Sequence, residues 1–338
     1  MHRRPLLLRG ARQLLTLRGA EGPRRGAACL DLGIISDGSV LIRDGRIVCV
    51  GQSRRIDNLT EARNAVVVEV HGSVVMPAFV DPAITIPANA TLARRILQLA
   101  FSHGTATIGV IGSYLALRAL AAADPASAAT VCSLEIEPGF DAAQLQRAAR
   151  RNLASALRFD LLAHNREALH LFRSLGTCFR VWCGEPDKQD WIGLALAYGA
   201  SVLDLQHPLS PPQVRLLADS PSVAVVPPAA AAIARALITG DAAVALSSGF
   251  SMTANATCSM QAAALLAVRD GGLQLAEAIT LSTINAAHAL GLASQCGSLE
   301  AGKQANILIL HVPDYHDIVN FMGVNLVSKI VHAGTLVS

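Results

Sequence analysis

The chain has 338 residues, of which 52% are hydrophobic and 16% charged, with a formal net charge of +3. That length holds one barrel of roughly 200–250 residues plus a smaller domain, and a mean hydropathy of +0.41 excludes an extended disordered chain. Lys and Arg are scattered apart from doublets such as Arg3-Arg4, Arg24-Arg25 and Arg150-Arg151, and aromatics are only 4%, so no basic stripe offers itself to nucleic acid.

The first 20 residues, MHRRPLLLRGARQLLTLRGA, carry Arg and no acid, as a transit peptide would. The competing and preferred reading is a pair of strands at Leu6–Leu8 and Leu14–Leu17 that joins the next hairpin. Residues 39–52, SVLIRDGRIVCVGQ, read as two strands around Asp44-Gly45, a pair that suits a type I′ turn. Residues 65–76 read as another hairpin around His71-Gly72, which makes the first 76 residues a small all-β unit.

From Pro77 the pattern alternates. Strands are expected at 79–86, 106–111, 130–136, 158–163, 178–183, 201–206, 222–227 and 242–248. Helices are expected at 91–102, 115–123, 141–156, 165–175, 188–198, 211–219, 229–238, 257–270 and 275–290. Strand–helix units with short connections imply parallel strands, right-handed crossovers and a barrel. The tail returns to β structure, with a strand at 305–311 and a hairpin at 324–337 around Ala333-Gly334. The expected fold is therefore α/β: a TIM-like (β/α)8 barrel over residues 77–298, plus a small discontinuous β-sandwich domain built from residues 1–76 and 299–338.

No uncharged run of about 18 apolar residues appears, so no membrane span is expected. The seven cysteines, Cys29, Cys49, Cys132, Cys178, Cys183, Cys258 and Cys296, lack Cys-x-x-Cys spacing. An odd count of that kind fits buried thiols in a reducing compartment, and a cytoplasmic location is the expectation.

Val74–Pro87, VVMPAFVDPAITIP, resembles the strand that opens the barrel of the amidohydrolase superfamily and ends there in "GFVDPHTH". Thr283–Ala287, Ala289–Leu292 and the stretch GSLEAGKQANILIL are similar to the C-terminal signature of that superfamily. LLLRGARQLLTLRG, HGTAT, Val312–Tyr315 and Phe321–Asn325 are most similar to the imidazolonepropionase family. The resemblance implies a metal-dependent hydrolase that opens a cyclic amide of histidine degradation, imidazolone propionate. One departure in the tail is Ala305-Asn306, where the family has Ala-Asp.

The ligand positions that the resemblance implies are mostly replaced. The two histidines of the opening strand become Ala83 and Thr85. A third, in a pattern like "LHAEQ", becomes Cys183, while Glu185 persists. A fourth falls near Asp204–His207, where His207 lies two residues late, and the last ligand, an Asp, becomes Gly249. A catalytic Zn or Fe needs about three protein ligands and an open water position, so no metal cofactor is expected unless the site is rearranged. A long substrate-gripping segment of the family is reduced to Ile86–Ser102, and the Glu and Lys of "VEVKSGYG" become Gly109 and Ile111; only Tyr114 matches, as the remaining substrate-binding residue.

Cys183, Glu185 and His207 are the remnant catalytic candidates. Against a thiol–imidazole pair stand a buried structural Cys and a loop His, and Glu185 reads equally as an exposed loop acid. His103 reads as a helix-end cap, and His164 and His170 as surface or packing residues. Ser247-Ser248 lacks a Gly-x-Ser-x-Gly elbow. Three functions remain open: a pseudoenzyme scaffold, homo-oligomeric as in a dimer or paired with a related active subunit; an active hydrolase with a rearranged site; and a metal-free small-molecule binding protein. The first is the preferred reading.

Overall fold

The computed structural model describes residues 4–122, 128–136, 143, 146, 154–158, 166–176, 178–187, 189–253 and 257–337. The chain opens with β1 (Leu6–Leu15), β2 (Ile34–Arg43), β3 (Arg46–Gln52), β4 (Val66–Glu69) and β5 (Val74–Pro77). Asp44 and Gly45 both hold positive φ, 50° and 80°, so the β2–β3 hairpin turns as the Asp-Gly pair predicts. The expected strand pair over residues 6–17 is instead one ten-residue strand. Its register against β2 slips between Leu8 and Ala11, at a bulge centred on Gly10 with φ +79°. The expected hairpin around His71-Gly72 is also replaced: β4 and β5 do not pair with each other but lie in turn along one edge of β1, both parallel to it. A strand as long as β1 has room for both.

The barrel strands follow: β6 (Phe79–Thr85), β7 (Thr105–Gly112), β8 (Ala129–Ile136), β9 (Ala154–Arg158), β10 (Phe179–Cys183), β11 (Val202–Leu205), β12 (Val223–Val226) and β13 (Val244–Leu246). They pair in sequence order, all parallel. The eight-strand barrel is nearly closed: Thr85 N–H donates to the Phe250 carbonyl at 2.8 Å, and Ser248 N–H donates to Asp81 Oδ1 at 3.1 Å.

Seven of the strands fall where the alternation predicts. The fourth does not: Ala154–Ala156, expected as helix end, form strand, and the rest of the expected helix (apart from Ala143 and Gln146) and residues 159–163 lie outside the described residues. The alanines favour helix by propensity, but the slot between Ser133–Ile136 and Phe179–Trp182 offers a ladder on both edges, and tertiary pairing overrides propensity.

After β13 come the tail strands β14 (Ile307–Leu310), β15 (Val327–His332) and β16 (Thr335–Val337). They complete the terminal sheet in the order β16-β15-β14-β5-β1-β2-β3, with β4 also on β1. The Ala333-Gly334 turn has positive φ at both residues, as expected. The sheet folds over its own inner face, so that Val40, Ile42 and Ile47 share one core with Ile307, Ile309 and Val331.

Helices cover the outside of the barrel. They include α1 (Ser53–Ile56) and α2 (Thr60–Arg63) on the terminal sheet, α3 (Ala90–Ser102) and α4 (Tyr114–Ala121) after β6 and β7, and α5 (Arg166–Leu175) before β10. Beyond β10 follow α6 (Trp191–Ala197), α7 (Pro211–Ala218), α8 (Ala231–Thr239), α9 (Met260–Arg269), α10 (Leu275–Leu281) and α11 (Ile284–Ala289). His103 caps α3, its Nδ1 lying 2.8 Å from the Leu99 carbonyl. The expected helix over 275–290 is broken into α10 and α11 at Thr283, whose φ and ψ are −129° and −92°. Ser282 Oγ and Thr283 Oγ1 donate to the carbonyls of Ala278 and Ile279 at 2.7 and 2.6 Å, side-chain bonds that compete with helix propagation. The break lets Ala286 and Ala287 plug the lower mouth of the barrel against Val80, Val202, Val223 and Ala243.

Among the described residues no helix is long and apolar enough to cross a membrane.

Candidate functional site

The strands' C-terminal ends open into a cavity of about 680 Å³. In a parallel barrel this is the face where loops and inward side chains converge. Side chains alternate with period two, so each strand sends every second residue inward. Toward the end of β6 these are Ala83 and Thr85; on β10 and just past it, Trp182 and Gly184; on β11 and just past it, Asp204 and Gln206; after β13, Ser247 and Gly249. Ala83 and Thr85 stand where the His-x-His resemblance puts them, but they bring a methyl and a neutral hydroxyl. Gly249, at φ +60°, brings no side chain.

The three remnant candidates do not come together. Cys183 faces outward, buried in the strand–helix core with Val181, Leu203 and Ile192, and its thiol donates to the Val181 carbonyl at 3.7 Å. Burial, then the nearby charges of Asp204 and Asp187, pushes that thiol well above its ordinary range, so it stays protonated. Glu185 is exposed and lies outside the cavity lining. His207 alone of the three lines the cavity, with Nε2 3.1 Å from the Gly184 carbonyl. Tyr114 opens α4 at the same end of the barrel, 37% exposed, and is not part of the lining. Of the other histidines, His170 sits on the surface with Nε2 3.3 Å from the Tyr198 hydroxyl, and His164 lies outside the described residues. Ser248 is buried, and its Oγ accepts from Phe250 N–H at 3.2 Å.

Sequence reasoning missed the polar centre of the barrel. Arg180, on the inward face of β10, and Asp204, on β11, form a pair with side chains only 4% and 6% exposed. Arg180 Nε donates to Asp204 Oδ2 at 2.7 Å and Nη2 donates to Oδ1, while Nη1 reaches the Pro82 carbonyl on β6 at 2.8 Å. The register between β6 and β7 slips between Asp81 and Ile84, and Pro82 has no N–H to give the ladder. Its carbonyl is therefore available to the guanidinium. Gly109 on β7 makes room for it: a Cβ there would lie 2.3 Å from the Pro82 oxygen. The signal was present, because a lone Arg in CFRVWC and a lone Asp in VLDLQ need partners if their strands are buried.

Next to this pair, Asp81 is fully buried. Its Oδ1 accepts from the N–H groups of Ala83 and Ser248, both at 3.1 Å, and its Oδ2 has no hydrogen-bond partner among the described residues. Burial raises its pKa from 3.8 to about 6, against the opposing pull of these hydrogen bonds and of Arg180. Higher in the cavity, the Trp182 indole lies across Gly184, where a Cβ would come within 2.2 Å of the ring. Glu135, at the end of β8, adds a half-buried carboxylate to the lining.

These residues do not fit a catalytic metal. The positions that line the cavity on β6, at the end of β10 and after β13 offer no imidazole, thiolate or carboxylate, and the Asp204 carboxylate is held by a guanidinium. Among the described residues no three His, Cys, Asp or Glu side chains gather as a metal-holding set.

Known proteins share both this fold and stretches of this sequence. Residues 214–337 match the amidohydrolase family. The guanine deaminase of E. coli superposes with a TM-score of 0.72 over 99% of each chain at 17% sequence identity, a likeness of fold. The chain thus resembles the amidohydrolase family in its C-terminal third and shares the fold of that solved structure. Along its length it also resembles imidazolonepropionase: it is 28% identical to that protein of Symbiobacterium thermophilum, over 98% of this chain and 97% of the relative. Against the imidazolonepropionase of Deinococcus radiodurans the identity is 29%, over 97% and 98%. The first of these alignments runs over 416 positions, many more than the 338 residues here, so the relative carries segments this chain lacks.

Proposed function

We propose that this imidazolonepropionase-like protein has lost metal-dependent hydrolysis of a cyclic amide and serves as a non-catalytic scaffold, binding a ligand or pairing with a related active subunit. The carrying observation is the inward face of the strand ends, where Ala83, Thr85, Gly184 and Gly249 offer no imidazole, thiolate or carboxylate and Asp204 is tied to Arg180. A water in this cavity would stay near its bulk pKa, with no Asp after β13 to take its proton. A rearranged hydrolase built on Cys183, Glu185 and His207 lacks support, because Cys183 faces away from the cavity and Glu185 lies outside it.

A metal-free small-molecule binding protein is the second reading, and the 680 Å³ cavity with Trp182, Gln206 and His207 on its walls favours it. The deciding experiment is elemental analysis of the purified protein beside an imidazolone propionate turnover assay. Absence of stoichiometric Zn or Fe together with absence of turnover is expected; bound metal with turnover overturns the reading.

A further inference from the structure

We infer that Arg180 supplies, as a covalent part of the chain, the internal cation that braces the centre of this barrel, so that the barrel closes without a divalent ion. The inference rests on the metal-free reading above and names the group that makes it workable.

Three observations carry it. First, position: in an eight-strand barrel in sequence order, β10 stands four strands from β6, across the diameter. Arg180 starts on β10 and reaches both the Pro82 carbonyl of β6 and the Asp204 carboxylate of neighbouring β11. One planar fork thus ties opposite walls, a task that the compact ammonium of Lys cannot perform. Second, the surroundings are built for it. The slip of β6 at Pro82 frees the carbonyl, and Gly109 leaves the space that this carbonyl fills. Third, the charge is balanced on the spot by a carboxylate held at two oxygens, the arrangement that makes a buried cation tolerable. A divalent cation entering the same place would meet a guanidinium already in possession of the carboxylate.

The test is thermal unfolding of the purified full chain, in a chelator and with added Zn, for the wild type, R180M, R180K and the double variant R180M/D204L. The wild-type midpoint is expected to be the same under both conditions. R180M leaves Asp204 charged and unpaired, and its midpoint should fall by roughly 10 °C. R180M/D204L removes both charges and should recover much of that loss, a coupling that two independent packing defects would not show. R180K keeps the charge without the fork and should fall between wild type and R180M; it remains readable if R180M does not fold. A wild-type midpoint that drops in chelator overturns this inference and the metal-free reading together. A metal-insensitive wild type whose R180M and R180K variants melt with it overturns the role of Arg180 alone.

Discussion

Asp81 is a carboxylate placed where its charge is disfavoured. In the unfolded chain it carries the ordinary value of 3.8, and in the fold burial raises it to about 6. Between these two values the folded state holds the proton more tightly than the unfolded state does. Stability is therefore greatest below the unfolded value, falls as pH rises through this window, and stays reduced above it, by up to about 3 kcal/mol. D81N should accordingly be more stable than wild type in urea at pH 7.5. Its advantage should shrink by about 2 kcal/mol at pH 4.5, and an advantage independent of pH would contradict the placement of Asp81. Gly109 makes a second residue-scale prediction. G109A drives a methyl into the Pro82 carbonyl, and its urea midpoint should fall by the equivalent of about 3 kcal/mol with little change in slope. For the thiols, a neutral-pH labelling reagent should modify the exposed Cys178 in the native protein and reach Cys183 only on unfolding.

The same scale shows what the sequence could reveal. The places of Ala83, Thr85 and Gly249 on the cavity wall were legible because they follow or border stretches that resemble the family's motifs. Cys183 was misplaced because an alignment counts positions and not faces, and a one-residue step on a strand moves a side chain to the other side of the sheet. The Arg180–Asp204 pair needs the register of β10 on β11, and that is a tertiary fact.

At the scale of elements, apolar runs bounded by turns gave seven barrel strands within a few residues of their observed limits. The failures share a cause: partners outside the segment decide. β9 is strand because two neighbours offer ladders, β4 and β5 are separate because β1 is long, and α10 ends because hydroxyls turn back onto its carbonyls. Asn285, at the start of α11, shows how such a break is fixed. Its Oδ1 accepts from Arg24 N–H at 2.8 Å, and its Nδ2 donates to the carbonyls of Arg24 and Val244 at 2.9 and 2.7 Å. N285A strands three fully buried backbone groups and should cost about 3 kcal/mol or more, with faster amide exchange around residues 24–30. Wild-type exchange in that segment would count against the tie.

For the whole molecule, the terminal sheet and the barrel share one continuous backbone: β5 ends at Pro77, β6 starts at Phe79, and Ala78 N–H between them donates to the Asn306 carbonyl at 2.9 Å. Calorimetry should therefore show a single unfolding transition; two resolved transitions would separate the units. The same global view predicts the outcome of a graft. Introducing two histidines on the opening strand as A83H/T85H should not yield a stoichiometric Zn site by elemental analysis. β10 and the segment after β13 still contribute Gly184 and Gly249, and Asp204 stays occupied.

The position of β14 also governs the order of assembly on the ribosome. It sits between β5 and β15, so the sheet begun by the first 77 residues lacks its closing strand until residues 307–310 have been made. Throughout synthesis of the barrel, the apolar edge Val74–Pro77 waits unpaired, a template for any passing strand. A nascent chain halted before residue 307 should thus bind chaperones or aggregate, however well its barrel strands have formed.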